Sequence, residues 1–171
     1  MSSLDRIVDD YIRDHQHGAQ QEQRWFAIQP DLRTAVEIAA RAESPSGKRL
    51  SHQRRIPSNV LQESCRRLLQ VLPALEKAQS FDTVHELVSS TIDPIHGIGE
   101  LVVYDTALRI GARLGLEPDK VYLHAGTRVG AAKLGLPTSD AYIEISELPP
   151  ELRRLKPHEI EDVLCLYKHR F

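Results

Sequence analysis

Apolar residues recur every three or four positions along most of this chain, which is the period of an amphipathic helix. In the first such segment they are Leu4, Ile7, Val8, Tyr11 and Ile12. Ser2 or Ser3 suits the N-cap of this helix, and the polar run over residues 14–20 is predicted to end it. Further helices are predicted over residues 21–28 and from Pro30 to about residue 42, because proline suits the first turn of a helix.

The middle and the end of the chain continue the helical pattern. A long helix is predicted from Ser58, and Pro73 must kink or split it because proline removes a backbone donor and clashes with the preceding turn. Asp82 or Thr83 opens the next helix, and another covers residues 100–114. The last helix has one apolar face, made of Ile160, Val163, Leu164 and Tyr167. The pattern therefore predicts an all-α fold of about eight helices.

Two segments of the second half end in the same way. Residues 109–118, RIGARLGLEP, and residues 128–138, RVGAAKLGLPT, both close with Leu-Gly-Leu and a nearby proline. Gly115 suits a left-handed C-terminal cap, so two helices capped alike explain the match as well as a duplicated unit does. Between the two segments, residues 121–123 favour an extended strand with no evident partner. Thr127 is predicted to cap the helix that follows.

Composition narrows the classes of function. The chain has 171 residues, of which 41% are hydrophobic and 27% charged, as in an ordinary globular protein. Its formal net charge of −2 means that a nucleic-acid contact would need a local patch of cations. No window approaches the roughly 18 consecutive apolar residues of a membrane span, and the acidic N-terminus does not fit an export signal. Cys65 and Cys165 lack a CxxC spacing, which favours ordinary buried thiols, and a cytoplasmic protein is expected.

Residues 92–118, IDPIHGIGELVVYDTALRIGARLGLEP, place two glycines around one apolar residue just before a helix. Glycine tolerates positive φ and lets the backbone approach another group closely. The amides at the start of the next helix carry partial positive charge. Gly97, Ile98 and Gly99 are therefore candidate contacts to a nucleic-acid phosphate. A turn that needs only positive φ at the glycines explains the same residues, and the sequence leaves both explanations open.

The same stretch resembles the helix-hairpin-helix motif, in which apolar residues precede a Pro-Gly-apolar-Gly hairpin. Ile92 and Ile95 occupy the apolar positions, and His96 stands where proline is usual. The later YLHAGTRVGAAKLGL resembles the region after the hairpin in base-excision DNA glycosylases, so the resemblance spans about residues 80–137. Members of this class often hold a monovalent cation with hairpin carbonyls, and this is the one cofactor that the resemblance implies here.

Besides His96, three residues depart from the pattern of that superfamily. A basic residue commonly follows the hairpin, whereas this chain has Glu100, which suits the first turn of a helix but repels a phosphate. The lysine of the glycosylases with lyase activity corresponds to Leu101, and their catalytic aspartate falls near Leu123. Neither residue is an amine or a carboxylate, so catalysis by the family's route is not expected.

The loop over residues 44–57, SPSGKRLSHQRRIP, is the most basic segment of the chain. It carries Lys48, Arg49, Arg54 and Arg55, with His52 between them and no acid. These four cations are candidate contacts to successive phosphates, which would make binding salt-dependent. A solvated loop balanced by acids elsewhere is an equally good explanation of the composition. The loop has no aromatic residue, so it offers no platform on which bases could stack.

A second set of candidate residues is catalytic. If a helix starts at Thr127, its amides, His124 and Arg128 could converge on an anion. Together with Asp105 and Tyr104 on the hairpin helix, they would line the pocket of an enzyme that acts on a nucleotide, nucleoside or nucleic acid. The structural alternative is a capped helix with Arg128 on its surface and Asp105 in an ion pair with Arg109, four residues later on the same helix.

We therefore expect a compact single domain over residues 1–171 with a central helix-hairpin-helix unit. The expected parts are peripheral helices over 1–43, the basic loop 44–57, a core over 58–137 that contains helix 82–91, hairpin 96–99 and helix 100–114, and C-terminal helices over 138–171. The first expectation for function is non-catalytic binding of nucleic acid along the phosphate backbone. An enzyme and a protein-interaction module are the alternatives. No metal site and no membrane partner are expected.

Overall fold

Nine α-helices and one two-stranded ribbon form the regular structure in a computed structural model that describes Met1–Phe171. The helices are α1 (Ser3–Tyr11), α2 (His17–Ala27), α3 (Leu32–Arg41), α4 (Ser58–Gln70), α5 (Leu72–Glu76), α6 (Phe81–Ile92), α7 (Glu100–Leu114), α8 (Ala125–Lys133) and α9 (Pro157–Leu166). The strands β1 (Val121–Tyr122) and β2 (Tyr142–Ile143) pair antiparallel, with Val121 opposite Ile143. The structure is mostly helical, as the sequence predicts. None of the helices has the length and apolar composition that crossing a membrane requires.

The N-terminal helix begins as predicted but does not end where predicted. The hydroxyl of Ser2 accepts the amide of Asp5, which caps α1. The polar run over residues 14–20 does not end the helix, because a π-helical turn (Ile12–Gln16) connects α1 to α2. Arg13 pairs with Asp10 and Asp14 at 2.9 and 2.7 Å on its exposed face. Polar residues are compatible with a helix when they face solvent, so polarity alone did not end this one.

Proline and capping side chains set the next helix boundaries. Pro73 lies in the first turn of α5, and the chain is split between α4 and α5, as its sequence predicts. The carboxylate of Asp31 caps α3 by accepting the amide of Thr34, so Pro30 precedes the cap and is not in the first turn. Ser80 caps α6 in the same way, so the helix begins at Phe81, one or two residues before the predicted start.

The two Leu-Gly-Leu segments form the same C-terminal cap. Gly115 after α7 has φ +70° and Gly135 after α8 has φ +69°, both left-handed. The amide of Leu116 then donates to the carbonyl of Gly111 at 2.9 Å, and that of Leu136 donates to Ala131 at 3.0 Å. The prediction of a glycine cap is confirmed, and identical capping is sufficient to explain the sequence match.

The chain divides into two compact units, with one division within α2 and the other between residues 117 and 118. The first unit comprises residues 1–21 and 118–171, and the second comprises residues 22–117. In the first unit, α1 and α9 contribute their apolar faces to one core, which includes the four residues predicted for the last helix. The ribbon belongs to this unit, and β2 is the strand partner that the sequence did not reveal for residues 121–123. In the second unit, α3, α4, α6 and α7 bury aliphatic residues such as Val36, Leu68 and Ile110.

Candidate nucleic-acid interface

The segment between α6 and α7 is a tight hairpin in which only one of the two glycines, Gly97, has a left-handed backbone. The amide of Ile95 donates to Ile92 and that of Ile98 donates to Ile95, at 2.9 and 3.0 Å, so two turns follow each other. Gly97 has φ +96°, a conformation that other residues adopt at a cost. A β-carbon at Gly97 would lie 3.7 Å from the side chain of Val60, so the hairpin packs against the start of α4.

Gly99 differs from Gly97, because nothing inside the unit requires a glycine there. Its φ of −118° and ψ of 178° are extended backbone, and a β-carbon would meet no atom within 4 Å. The expectation of positive φ at both glycines is therefore right for Gly97 and wrong for Gly99. Gly99 is the N-cap of α7 and provides no side-chain cap, so the first-turn amides of this helix have no hydroxyl or carboxylate from the N-cap residue over them. Gly97, Gly99 and Glu100 are exposed, and Ile98 is half-buried.

The four cations of the basic loop fall into two kinds. Lys48, Arg54 and Arg55 are exposed and form no ion pair. The guanidinium of Arg49 is instead part of the loop's own structure, since it donates to the carbonyl of Ile56 at 2.8 Å and to the hydroxyl of Ser58 at 3.1 Å. Three of the predicted cations can therefore reach an external anion without breaking an internal bond.

Asp105 holds this loop on helix α7. Its Oδ2 accepts from the amide nitrogen of Gln53 at 2.7 Å and lies 3.1 Å from Nδ1 of His52. Gln53 is only 1% exposed, and its carbonyl oxygen in turn accepts from Arg109 at 2.9 Å. Sequence reasoning singled out Asp105 but missed Gln53, because nothing in the sequence relates two residues that are 52 positions apart.

The charge state of Asp105 follows from these contacts. Burial alone would raise the pKa of this carboxyl, but the hydrogen bond of His52 and the positive charge of Arg109 outweigh burial and hold the pKa below its usual value. The guanidinium of Arg109 is 3.7 Å from the carboxylate and 5.9 Å from the ring centre of Phe26. An ionised Asp105 thus balances a buried arginine that also packs on an aromatic face.

The hairpin and the loop are held by the same two helices. The hairpin packs on Val60 in the first turn of α4, and the basic loop leads directly into that turn. The 3₁₀ turn of the loop (Ser51–Gln53) is bonded to α7, the helix that begins at the hairpin. We call the three exposed cations of the loop and the two exposed glycines of the hairpin the hairpin–loop surface; they are Lys48, Arg54, Arg55, Gly97 and Gly99.

The catalytic candidates belong to different units. Asp105 and Tyr104 lie in the second unit, where Tyr104 is buried and meets the ring of Phe81 edge-on at 6.2 Å. His124 and Arg128 lie in the first unit. Arg128 donates to the carbonyls of Thr138 and Asp140 at 2.9 and 2.8 Å, which ties α8 to the loop after it.

His124 caps helix α8, whereas Thr127 was predicted to do so. The imidazole accepts the amide of Gly126 at 3.2 Å, and the hydroxyl of Thr127 accepts the amide of His124 at 2.7 Å. The other ring nitrogen, Nε2, contacts the carboxylate of Glu161 on α9. Both side chains are about 6% exposed, so this is a buried pair.

No protein-family model, curated protein or solved structure significantly matches the chain. No group of three or more histidine, cysteine, aspartate or glutamate side chains is arranged to hold a metal ion.

Proposed function

We propose that this protein binds nucleic acid along the phosphate backbone, without catalysis, through the hairpin–loop surface used as a helix-hairpin-helix element. The observation that carries the proposal is the attachment of the basic loop to α7 through Asp105, described above. It keeps exposed cations on the same helix pair as the glycine hairpin. The glycine hairpin and the basic loop both favour anions, and α4 and α7 hold both of them.

The hairpin supports the proposal through Gly99. Neither backbone conformation nor packing requires a glycine at this position. A glycine there places no side chain over the first-turn amides of α7, and these amides carry the positive end of the helix dipole. A phosphate oxygen can approach them closely because no β-carbon intervenes.

The loop supports the proposal through charge. Lys48, Arg54 and Arg55 are exposed and unpaired, so their contacts with phosphates would displace only water and counterions. Three phosphate contacts correspond to a slope of about −2.7 when the logarithm of the binding constant is plotted against that of salt concentration. Glu100 sits beside the hairpin amides and opposes binding. We therefore expect a weak binder, with a Kd of about 10⁻⁴–10⁻⁶ M at physiological salt.

The test is a titration of labelled double-stranded DNA, single-stranded DNA and RNA by fluorescence anisotropy at several salt concentrations. We expect salt-dependent binding, and we expect the triple variant Lys48→Gln, Arg54→Gln, Arg55→Gln to lose it. Arg49 stays unchanged, because its guanidinium braces the loop. The magnitude of the slope should fall by about 2.7 in the triple variant, since each lost phosphate contact lowers it by about 0.9.

The matched control makes the same change of charge elsewhere in the same unit. Arg24, Arg33 and Lys77 are exposed cations outside the hairpin–loop surface. Their joint replacement by glutamine should leave the salt slope within one unit of the original. Equal losses in both triple variants, or binding that ignores salt, would contradict the proposed interface.

A further inference from the structure

A cavity of about 380 Å³ lies between helix α3 and the start of the basic loop, within the second unit. One face of α3 lines it with Glu37, Ile38 and Arg41, which follow the helical spacing. The half-buried indole of Trp25 lines it from α2, and Gly47 lines it from the loop. The loop has no aromatic residue of its own, so Trp25 supplies the flat apolar surface that its sequence lacks. The volume falls in the range of roughly 300–1,000 Å³ that is typical of small-molecule sites.

Backbone hydrogen bonds hold the loop against the end of α3. Ala42, the C-cap of this helix, has φ +54°, which turns the chain back. The amide of Leu50 then donates to the carbonyl of Ala42 at 2.7 Å. Glu43 and Arg49 face each other in an antiparallel bridge between these two positions. The residues that the loop contributes to the cavity are therefore fixed relative to α3.

A second cavity, of about 400 Å³, lies beside the first. The two cavities share Arg41, Glu43 and Gly47, and the second extends to α4, where Ser58 and Gln62 line it. A guanidinium, a hydroxyl and an amide can all donate hydrogen bonds there. The first cavity thus suits a flat ring, and the second suits an anion.

The charged side chains of the first cavity lie close to one another. Burial raises the pKa of the Cys65 thiol, and three charges also act on it, with Arg41 lowering the pKa and Glu37 and Glu43 raising it. Charges that act on one buried thiol must be near each other, because such effects fall with distance. The carboxylate of Glu43 forms no ion pair or hydrogen bond, and that of Glu37 has one exposed ion pair, with Arg33 at 3.6 Å. An unused acceptor therefore faces the cavities at Glu43.

We propose that the two cavities bind a guanine nucleotide, with the base in the first cavity and the phosphate in the second. The base stacks on the indole of Trp25, since every base presents a flat face to an aromatic side chain. Guanine carries two neighbouring N–H donors, N1–H and the 2-amino group, and one carboxylate, that of Glu43, can accept both. Arg41, with Ser58 and Gln62, donates to the phosphate. Because Glu43 lines both cavities, its charge opposes additional phosphate groups, and a monophosphate is preferred to a triphosphate.

The direct test uses the fluorescence of Trp25, the only tryptophan of the chain, in the full-length protein. Guanosine monophosphate (GMP) should quench it in a saturable way. The monophosphates of adenosine, cytidine and uridine should bind about tenfold more weakly, because the bidentate contact to the base is lost. Inosine monophosphate, which lacks the 2-amino group, should also bind more weakly than GMP. Equal affinity for all of these nucleotides would overturn the proposal.

The pentanucleotides UUGUU and UUAUU show whether the guanine comes from a free nucleotide or from a strand. Saturable quenching by GMP supports a site for the free nucleotide. Quenching by UUGUU, but by neither GMP nor UUAUU, supports a site for a guanine within a single strand. Absence of saturable quenching by both GMP and UUGUU would overturn the proposal.

Substitutions at the base site test the role of each side chain. Glu43→Gln replaces one acceptor oxygen with a donor and should lower GMP affinity about tenfold, to that of adenosine monophosphate. Glu86→Gln, at an exposed acid on α6 in the same unit, is the matched control and should bind GMP as the wild type does. Trp25→Leu should lose about tenfold in affinity by isothermal titration calorimetry, because stacking is lost. A folded Glu43→Gln variant that still prefers GMP to adenosine monophosphate would contradict the proposed contact with the base.

The phosphate site is tested with guanosine, which lacks the phosphate. Arg41→Gln should lower the affinity for GMP severalfold and leave that for guanosine nearly unchanged. Circular dichroism and the thermal midpoint check that each variant is folded. An equal loss for both ligands in a folded Arg41→Gln variant would contradict the proposed contact with the phosphate.

This site shares no residue with the hairpin–loop surface, so the two proposals can fail separately. The triple variant Lys48→Gln, Arg54→Gln, Arg55→Gln should still bind GMP, and Glu43→Gln should still bind double-stranded DNA with the affinity of the wild type. Loss of GMP binding in the triple variant would mean that GMP binds the hairpin–loop surface through its phosphate, which would overturn the cavity site.

Discussion

Nδ1 of His52 lies 3.1 Å from Oδ2 of Asp105, although the two residues are 53 positions apart in the chain. Gln53 bonds the same carboxylate oxygen from the same 3₁₀ turn. One buried carboxylate on α7 thus contacts two side chains of the basic loop, and these contacts fasten the loop to α7.

Replacing Asp105 with alanine should destabilise the protein strongly. The change leaves the guanidinium of Arg109, which is 4% exposed, without its carboxylate, and removes the acceptor of Gln53. Losing one partner of a buried ion pair costs about 3–5 kcal/mol. Urea denaturation measures the free energy of unfolding. Asp93→Ala, at an exposed aspartate of the same unit, should change it by less than about 0.5 kcal/mol. Similar effects of the two changes would mean that Asp105 does not fasten the loop.

The stability contributed by Asp105 should depend on pH in one direction. The pKa of this carboxyl in the folded protein is below its value of about 3.9 in an unfolded chain, since the contacts with His52 and Arg109 outweigh burial. Its contribution is therefore fully present above the unfolded-state pKa and is lost as the pH falls through that value toward the folded-state pKa. Between about pH 5 and pH 3, the unfolding free energy of the wild type should fall more steeply than that of Asp105→Asn. Parallel curves would contradict this prediction.

The local elements of the fold could largely be read from the sequence, because their causes are local. The cap at Ser2, the split at Pro73 and the left-handed glycine at Gly115 each depend on a few neighbouring residues. The failures have the same origin. Residues 14–20 lack apolar periodicity, yet the chain continues from α1 into α2 through a π-helical turn whose charged side chains pair on the exposed face.

Contacts between distant segments could not be read in this way. The partner of β1 is a strand of two residues, too short for any periodicity, and the pairing of Asp105 with His52 and Gln53 leaves no trace in spacing. Of the two cysteines expected to be buried thiols, Cys65 is buried and Cys165 is partly exposed, because Cys165 lies at the edge of the apolar face of α9. The pairing of Asp105 with Arg109 could be predicted because the two residues are four apart on one helix. The contacts of Asp105 with His52 and Gln53, and that of His124 with Glu161, became visible only in the structure.

Glu100 separates nucleic-acid binding from a purely structural hairpin. It lies in the first turn of α7, where its charge interacts favourably with the helix dipole but opposes a phosphate at the same amides. Glu100→Lys should cost about 0.3–1 kcal/mol of stability. If the hairpin contacts a phosphate, the variant should also bind DNA more tightly and with a steeper salt slope. The measurements are the thermal midpoint and the anisotropy titration.

The control for this variant is Glu117→Lys, which changes the net charge equally beyond the C-terminal end of α7. That helix has 15 residues and is therefore about 22 Å long, more than two Debye lengths at 0.1 M salt. Glu117→Lys should leave DNA affinity nearly unchanged. A similar gain in both variants would indicate a non-specific effect of net charge. A lower midpoint for Glu100→Lys with no gain in affinity would mean that the hairpin is only architectural.

Gly130 sets the closest approach between α8 and α9. A β-carbon there would lie 2.0 Å from the carbonyl oxygen of Leu164 and 2.8 Å from its carbon. Gly130→Ala should therefore destabilise the protein by at least about 1–3 kcal/mol through overpacking, as measured by urea denaturation. Gly18→Ala is the matched control, because Gly18 lies in α2 with open space around it and an alanine there should add about 0.5–1 kcal/mol of stability. Two stabilising effects would contradict the contact of α8 with α9.

Gly99→Ser tests the hairpin by making stability and binding change in opposite directions. The backbone at Gly99 is extended and has room for a side chain, so serine fits without strain. Its hydroxyl can accept an amide of the first turn of α7, and serine caps a helix better than glycine by a few tenths of a kcal/mol. The same hydroxyl and the new β-carbon would occupy the place of a phosphate oxygen. We therefore expect a thermal midpoint at or slightly above that of the wild type, together with a severalfold loss of DNA affinity. A stabilised variant that binds DNA as well as the wild type would remove the hairpin from the interface and leave the basic loop as its only candidate.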